Sequence, residues 1–518
     1  MKKTALIIIT AAMTLLAANS DIVAQSIQGK TLTSVAQEVI PQQTASSDKE
    51  QQKAVETKEV APGVDYTVFR DKQNLLGESL RVHVLAIDIN QRDLEILPVY
   101  GGSKLGDSQT VGDMAKKHGA VAAINGGFFG NVNGRALPVG NLVIDGKPIA
   151  TSDYYRTSVS FSDKEGIEGL QVLMGYFNPT VEIILPQGKQ KISSTNSGST
   201  APGIHLYTSE WGSQLAGATD TVNVVLTKAG ADNYWVSDIS EGNIVIPSEG
   251  IVLRFIGESQ RTIANRLALG YPTKVQYIYD QNLWGNINHL ITAGPMLVEQ
   301  GEAVFQAIQE GFTGSLLDPN PRSALGVTKE GNVLFVVAER ATGSGRVGLT
   351  LEEMALLMVE LGAVSAVGLD GGGSSTMYVK DGVVNNAASS QRSVANGFMV
   401  LIGPKLFLNG DRIFPDTPPV ITGNRTLVPI RVIMEALGAS VNWDQATKTV
   451  TINKGQDTIK LVIGSNRAEV NGQEMLMDVA PEVHGHRTMI PIRFITENLK
   501  GAVDWDPTTR SINIRINK

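Results

Sequence analysis

A 62-residue repeat closes this chain and separates one compact tail from everything that precedes it. Arg425–Arg431 (RTLVPIR) returns as Arg487–Arg493 (RTMIPIR), an offset of 487 − 425 = 62. The same offset carries Asn409-Gly410 onto Asn471-Gly472, Glu435 onto Glu497, and Trp443-Asp444 onto Trp505-Asp506. Matches in a single register mean a duplicated supersecondary unit. Each copy reads as a strand turn, a short helix from about Ile430 or Ile492, and a β-hairpin. The tail is expected at 405–518 as a small α+β domain, with repeats at about 405–466 and 467–518. Residues 1–404 need a separate account.

The N-terminus sets the expected compartment. Lys2 and Lys3 precede an uncharged stretch, Thr4–Ala18, and small residues follow near Asn19–Ser20 and Val23–Ala24. That is the layout of a secretory signal over 1–24, and its apolar run is shorter than the ~20 residues a membrane-spanning helix needs. No later stretch is apolar enough to span, so no transmembrane anchor is expected in the mature chain, which should be secreted or associated with a bacterial cell surface. Residues 25–62 are rich in Gln, Ser, Thr, Lys and Glu and poor in large apolar side chains, the composition of a disordered linker. The chain contains no cysteine, which excludes disulfides, thiolate metal sites and a cysteine nucleophile. An exported chain of this kind must be held by its core. The formal net charge of −7 gives no global case for nucleic-acid binding, although net charge says nothing about a single basic pocket.

Order is expected from about 63 to 404. Arg81–Ile89 and Asp93–Val99 read as strands by alternation and Thr110–His118 as a short helix. Ala120–Ile124 is an apolar strand that runs into Asn125. From about 178 to 261, β-like segments such as Thr221–Leu226 and Gly250–Ile256 alternate with Gly, Asn and Pro turns and suggest an inserted β-rich segment. Thr350 and Glu353 form a T-x-x-E capping box ahead of a helix whose Leu351, Met354, Ala355, Met358 and Leu361 share one face, with Gly362 as its stop. A strand, Ala363–Leu369, then delivers Asp370.

Three segments place glycine and polar groups at strand ends, where such architectures present their sites. In Asn125–Gly130 (NGGFFG), Asn125 offers donor and acceptor, the amides beside Gly126 and Gly127 can form an anion nest, and Phe128 or Phe129 can stack on a sugar. The bland reading is a tight turn with two core phenylalanines. In Asn320–Ala324 (NPRSA), Arg322 is a guanidinium fork suited to phosphate; the bland reading is a salt-bridged arginine. In Leu369–Met377 (LDGGGSSTM), Asp370 stands before Gly371, Gly372, Ser374 and Thr376, with Arg392 and Asn396 returning after a hairpin. Neither nucleotide-binding glycine pattern is present, and Gly343–Arg346 (GSGR) lacks the lysine and the strand–helix context.

Together NGGFF, the GPMLV that begins at Gly294, NPRSALG, the helix followed by LGA, LDGGGSSTM and the late R-x-V-x-N resemble the phosphodiester glycosidase family. The resemblance spans about Val64 to Pro404. The tail resembles the stalk-type module named after the N-terminal domain of copper amine oxidases. A copper site is not expected there, because His484 and His486 occur in the second repeat alone. The first resemblance implies hydrolysis of the sugar C1–phosphate bond of a glycosyl phosphodiester, such as an N-acetylglucosamine 1-phosphodiester, in cell-envelope or extracellular glycans. It implies Asp370, Arg322 and Asn125 as the catalytic set. Substrate and phosphate would be held by Gly126, Gly127, Phe128, Gly371, Gly372, Ser374, Thr376, Arg392 and Asn396. Glu339 and Glu353 stand in reserve, Glu353 as the capping box and Glu339 as a partner of Arg340. No cofactor is required by any motif; calcium at Asp370 stays open, without a dense carboxylate cluster to support it. The expected fold is α/β (α+β) with mixed sheets and the β-rich insertion, followed by the repeat pair, which is expected to bind cell wall or envelope material. Two other classes stay open: a non-catalytic glycan binder that holds sugar phosphate, and a scaffold whose repeats do the work.

Overall fold

The structure is a computed structural model that describes residues 56–73, 79–91, 93–163, 170–230, 232–280, 284–285, 287–340, 348–380, 382–385, 390–415, 417–422, 425–484, 487–506 and 510–516. The signal segment 1–24, most of the linker, Gly343–Arg346 and His486 lie outside the described residues. Among the described residues no helix is long and apolar enough to cross a membrane.

The main body is α+β and is built on antiparallel sheets. One eight-stranded sheet runs in the order Glu56–Ala61, Val64–Gln73, Ser79–Ile87, Val333–Arg340, Arg322–Thr328, Ala363–Gly368, Met296–Glu299, Glu302–Ala303. A second sheet of five runs Gly382–Val383, Met377–Val379, Ala122–Asn125, Asn396–Ile402, Leu94–Tyr100. A third joins Thr157–Asp163 to His289–Thr292 and their neighbours.

Strand alternation explains the layering. Leu85, Ile87, Leu325, Phe335 and Val337 of the first sheet share one core with Ile96, Ile124, Phe398 and Val400 of the second. The opposite face of the first sheet, with Val82, Val84, Ala324 and Val336, is covered by Met354, Ala355 and Met358 of the helix Leu351–Glu360. The opposite face of the second, with Leu97, Ala123 and Met399, is covered by Met114 and Ala115 of the helix Val111–Lys117. Helix, sheet, sheet and helix thus stack in four layers. Without disulfides this burial holds the body, at roughly 1.5–3 kcal/mol per large apolar side chain relative to exposure. The capping box is formed: the Thr350 amide donates to Glu353 Oε2 at 2.8 Å, and the Glu353 amide donates to Thr350 Oγ1 at 3.1 Å.

The inserted segment is a separate eight-stranded sheet with its own core, and it reaches from Thr180 to Ile278, past the expected limit near 261. Order also starts earlier than composition suggested. Glu56–Ala61, read as linker, pairs antiparallel with Val64–Gln73. It is an edge strand that buries Val60 and leaves its first four residues exposed, so it needs little apolar sequence and resembles a linker. Parallel pairing occurs in the insertion, between Ser194–Thr195 and Gly203–Thr208, and in the tail, between Lys405–Leu408 and Ser511–Arg515.

That second pairing interlocks the repeats. The opening strand of the first repeat joins the closing hairpin of the second, and Arg425–Pro429 pairs with Arg487–Pro491 across the duplication. Both copies fill one core around Ile433, Ile452, Ile495 and Ile514. The expected helices are Ile430–Ala436 and Ile492–Asn498. Arg412 of the tail forms a two-nitrogen pair with Glu95 and reaches Asp145 at 3.1 Å, and Arg510 grips Asp93 through both carboxylate oxygens.

Candidate active site

The strand Ala363–Gly368 ends against the NGGFF turn, so the three polar segments meet at one place. The Asp370 amide donates to the Gly126 carbonyl at 3.0 Å, and the Gly126 amide donates to the Asn396 carbonyl at 3.0 Å. Both glycines are required by space. A Cβ on Gly126 would lie 2.1 Å from Asn396 Oδ1, and one on Gly127 would lie 2.1 Å from the Thr292 carbonyl oxygen. Because the Gly126 N–H is already spent, the expected amide nest loses that donor.

Asn125 is fully buried and ties the loops together. Its Nδ2 donates to the Asp370 carbonyl at 2.7 Å, while its Oδ1 accepts from Ser323 Oγ at 2.8 Å and from the Thr376 amide at 3.1 Å. With its amide group spent in this way, Asn125 positions the Asp370 turn.

Arg322 lies in the same cluster, but its fork is engaged elsewhere. Nε donates to the Leu349 carbonyl at 2.9 Å, and Nη2 donates to the carbonyls of Leu316 and Asp318 at 3.0 and 2.6 Å. A bidentate grip on phosphate would have to displace those carbonyls. The remaining nitrogen, Nη1, lies against Gly371. Arg322 therefore clamps two loops behind Asp370. Spacing in the sequence could not reveal this, because the carbonyls that occupy it belong to backbone brought in by the fold.

The cations that act on Asp370 are Arg392 and Arg156. Burial raises the Asp370 carboxyl above its ordinary 3.8, opposed by Ser374, Arg392, the Gly371 amide and Arg156. The Ser374 hydroxyl faces the carboxylate closely enough to favour its charged form without reaching full hydrogen-bond geometry. Each arginine rests on one phenylalanine of NGGFF: Arg392 lies 5.4 Å above the Phe129 ring, and Arg156 lies 5.2 Å from Phe128 and 4.3 Å from Phe312. Phe128 packs edge-on to Phe312 at 5.2 Å. It is thus the wall of an arginine cage and not an open sugar platform. The sequence reading missed Arg156. Its one local signal is a charge set immediately before the hydroxyl-rich strand Thr157–Asp163 (TSVSFSD).

Arg156 is held by buried Glu310, whose backbone carbonyl accepts from Nε at 3.3 Å. The Glu310 carboxylate accepts from the Thr157 amide and hydroxyl, both at 2.8 Å, and from the Met296 amide at 2.7 Å. Below the glycine-rich loop runs a buried chain. Tyr66 Oη meets His83 Nδ1 at 2.8 Å, His83 Nε2 meets Glu339 Oε1 at 3.4 Å, and Asn385 Nδ2 reaches Glu339 Oε2 at 3.3 Å and the Ser375 carbonyl at 2.9 Å. Glu339 contacts His83 and Asn385 and so supports the loop, while the side chain of Arg340, its expected partner, lies outside the described residues.

Five buried polar atoms in this one cluster make no hydrogen bond of full geometry among the described residues: Ser374 Oγ, Ser375 Oγ, Thr376 Oγ1, and both Oδ1 and Nδ2 of Asn396. Leaving such groups unsatisfied costs about 1–3 kcal/mol each. Their concentration beside one carboxylate and two guanidinium groups marks a place built to receive a polar ligand. Among the described residues, one trio has metal-ligating spacing, namely Glu95, Asp145 and His289. Arg412 pairs with both of its carboxylates, so a guanidinium stands where a cation would sit.

Residues 220–401, about a third of the chain, match the profile of the family described as phosphodiester glycosidase, and residues 407–514 match that of the copper amine oxidase N-terminal domain. The first segment contains Arg322, Asp370, Arg392 and Asn396; Asn125, Phe128 and Arg156 come from ahead of it. Among solved structures, a hypothetical protein from Synechocystis is similar with a TM-score of 0.59 and 23% identity, over 68% of this chain and 64% of that one. A putative exported protein from Burkholderia pseudomallei is similar with a TM-score of 0.53 and 24% identity, over 62% of this chain and 74% of that one. These likenesses show a shared fold. A curated protein from Brevibacillus choshinensis called "Protease inhibitor" is 30% identical over 78 residues, 15% of this chain and 24% of that protein. The chain thus spans about a quarter of the length of that curated relative.

Proposed function

We propose, taking the phosphodiester glycosidase match over residues 220–401 as premise, that the chain hydrolyses the bond between a sugar's anomeric carbon and a phosphate oxygen in glycosyl phosphodiesters of cell-envelope or extracellular glycans. One observation carries the reading. Among the described residues, the groups that bear on Asp370 are the guanidinium groups of Arg392 and Arg156, the Ser374 hydroxyl and the Gly371 amide, while the buried carboxylate behind Arg156, that of Glu310, is spent on Thr157 and Met296. Ordinary glycosidases need two carboxyl groups, because an alkoxide leaving group must be protonated as it departs. A phosphomonoester leaves as a stable anion, so cations can take the place of the acid. One carboxylate between two arginines has that economy.

In this mechanism Arg392, exposed at the rim, and Arg156, at the wall, stabilise the charge gathering on the departing phosphate. Asp370 supports the cationic ring or activates the water that attacks C1. Ser374, Thr376 and Asn396 hold sugar or phosphate oxygens through the atoms left without a hydrogen bond of full geometry. Asn125, Arg322 and Glu310 position these groups. No step needs a metal. Turnover that survives a chelator fits this scheme, whereas loss restored by calcium would assign a cation to Asp370. Export by the N-terminal segment belongs to the same proposal.

The test is release of reducing sugar from an N-acetylglucosamine 1-phosphodiester by the wild type and by Asp370→Asn and Arg392→Ala variants. Activity that disappears in folded Asp370→Asn supports the reading, and unchanged activity in that variant refutes the assignment. The same single-carboxylate site suits a sugar-phosphate binder. Retained binding without turnover by the wild type on any sugar phosphodiester would move the protein to that class.

A further inference from the structure

The cleft between the tail and the helix Val111–Lys117 lies apart from Asp370. It has a volume of about 800 Å³. Its charge runs against that of the whole chain: Lys116, Lys117, Arg431 and Lys448 line it together with Arg487, and among the described lining residues the acidic side chain is Glu435, while the chain carries a net −7. Glu435 does not cancel that excess, for its contact with Arg431 is a loose one of 3.9 Å between two exposed side chains. Trp443, 40% exposed, lies among these cations, and its indole Nε1 donates to Gln445 Oε1 at 2.8 Å.

The duplication supplies an independent comparison. The mates of Trp443 and Lys448 at the 62-residue offset are Trp505 and Arg510. In the second repeat that pair is used internally: Arg510 lies 5.3 Å over the Trp505 ring and pairs with Asp93 of the main body. In the first repeat the equivalent tryptophan and cation face the cleft. A tryptophan and a cation thus recur at equivalent positions, and in the second repeat the cation is occupied by the protein's own Asp93.

We infer that this cleft binds a polyanionic glycan, a polymer in which sugar or polyol units alternate with phosphodiester or carboxylate groups. Trp443 presents an apolar ring with a polar edge to a sugar face, and Lys116, Lys117, Arg431 and Lys448 attract the repeating anions. The inference does not depend on the chemistry at Asp370. It gives the duplicated tail a ligand, and it places an extended polymer along the body that carries the candidate active site.

Binding is measured with the full chain against poly(glycerol phosphate), polygalacturonate and a neutral dextran. The expected result is binding to at least one polyanion and not to dextran, weakening steeply as salt rises from about 0.05 M to about 0.5 M because the charges are exposed and screened. The double variant Arg431→Glu/Lys448→Glu and the single variant Trp443→Ala should each lose about tenfold or more in affinity, or ~1.4 kcal/mol, with thermal midpoint unchanged. Arg493→Glu, the mate of Arg431 outside the cleft, should bind as wild type does. Preference between the two polyanions identifies the anionic group. Absence of binding to both polyanions at low salt overturns the inference, as does binding that the cleft variants leave intact.

Discussion

Replacing Arg412 with methionine should loosen the tail from the main body. Arg412 and Glu95 have side-chain exposures of 9% and 8%, so water can do little to stabilise a charge left behind. Arg412 is bound to both carboxylate oxygens of Glu95 and also to Asp145. Removing one partner of a buried pair costs roughly 3–5 kcal/mol, because the other charge stays buried and unpaired. Lys405 Nζ, 3.8 Å from Glu95, remains as a partial counter-charge, and His289 Nε2, at 3.2 Å, as a polar contact, which places the expected loss near the lower end, about 3 kcal/mol. The double variant Arg412→Met/Glu95→Gln should recover most of it, since a neutral pair carries no stranded charge. The pH dependence has a definite sign. Burial alone would raise the Glu95 carboxyl, but the charge and hydrogen bonds of Arg412, with help from His289 and Lys405, hold it well below the ordinary 4.5. A depressed carboxyl contributes its full stability above the unfolded value and loses it as pH falls through the lower folded one. Wild type should therefore lose stability below about pH 4.5 more steeply than Arg412→Met. Urea unfolding read by intrinsic fluorescence, together with limited proteolysis between residues 402 and 418, measures both effects. A single-variant loss below about 1 kcal/mol, or a double variant no better than the single, would refute the reasoning.

The remaining predictions concern the candidate site. If Asp370 acts as an ionised group, the acid limb of kcat/KM should lie above the ordinary carboxylate value, since burial raises its pKa; Arg392→Ala should shift that limb to still higher pH, because Arg392 lowers it. A limb that moves down in Arg392→Ala contradicts this arrangement. Arg322→Lys should lower the thermal midpoint through lost carbonyl bonds, costing about 2–4 kcal/mol, whereas Arg392→Lys should leave the midpoint within about 1 kcal/mol of wild type and act on turnover; equal midpoints in the two variants would count against Arg322 as a clamp. Gly127→Ala should cost at least ~3 kcal/mol, because the Thr292 carbonyl it meets is backbone of a paired strand; a soluble variant with an unchanged thermal midpoint would contradict that.

What could be read from the sequence was what is encoded within a few residues. The Thr350 and Glu353 capping box, the strand that delivers Asp370, and the two helices of the tail are local patterns of period and spacing, and each lies where its pattern placed it. Arg322 and Arg156 show where that legibility stops. Both are arginines at strand starts, and a guanidinium reads the same whether carbonyls, aromatic rings or a substrate will occupy it. Arg322 meets the carbonyls of Leu316 and Asp318 in the preceding loop and of Leu349 27 residues further on. Arg156 is enclosed by Phe128 from one stretch of chain and by Phe312 and the backbone of Glu310 from another, each far from it in sequence. Only the packed sheets decide which arginine faces Asp370. The NGGFF turn connects the two levels. Its glycines are demanded by the approach of Asn396 and Thr292, and its phenylalanines carry the two arginines. A motif that reads locally as a turn with two core aromatics thereby sets the charge around the carboxylate. Substituting either phenylalanine by leucine keeps the apolar volume and removes the ring face beneath the cation. If the turn serves packing alone, such variants keep the pH profile of the parent; if it holds the arginines, the acid limb shifts upward as it does when Arg392 is removed.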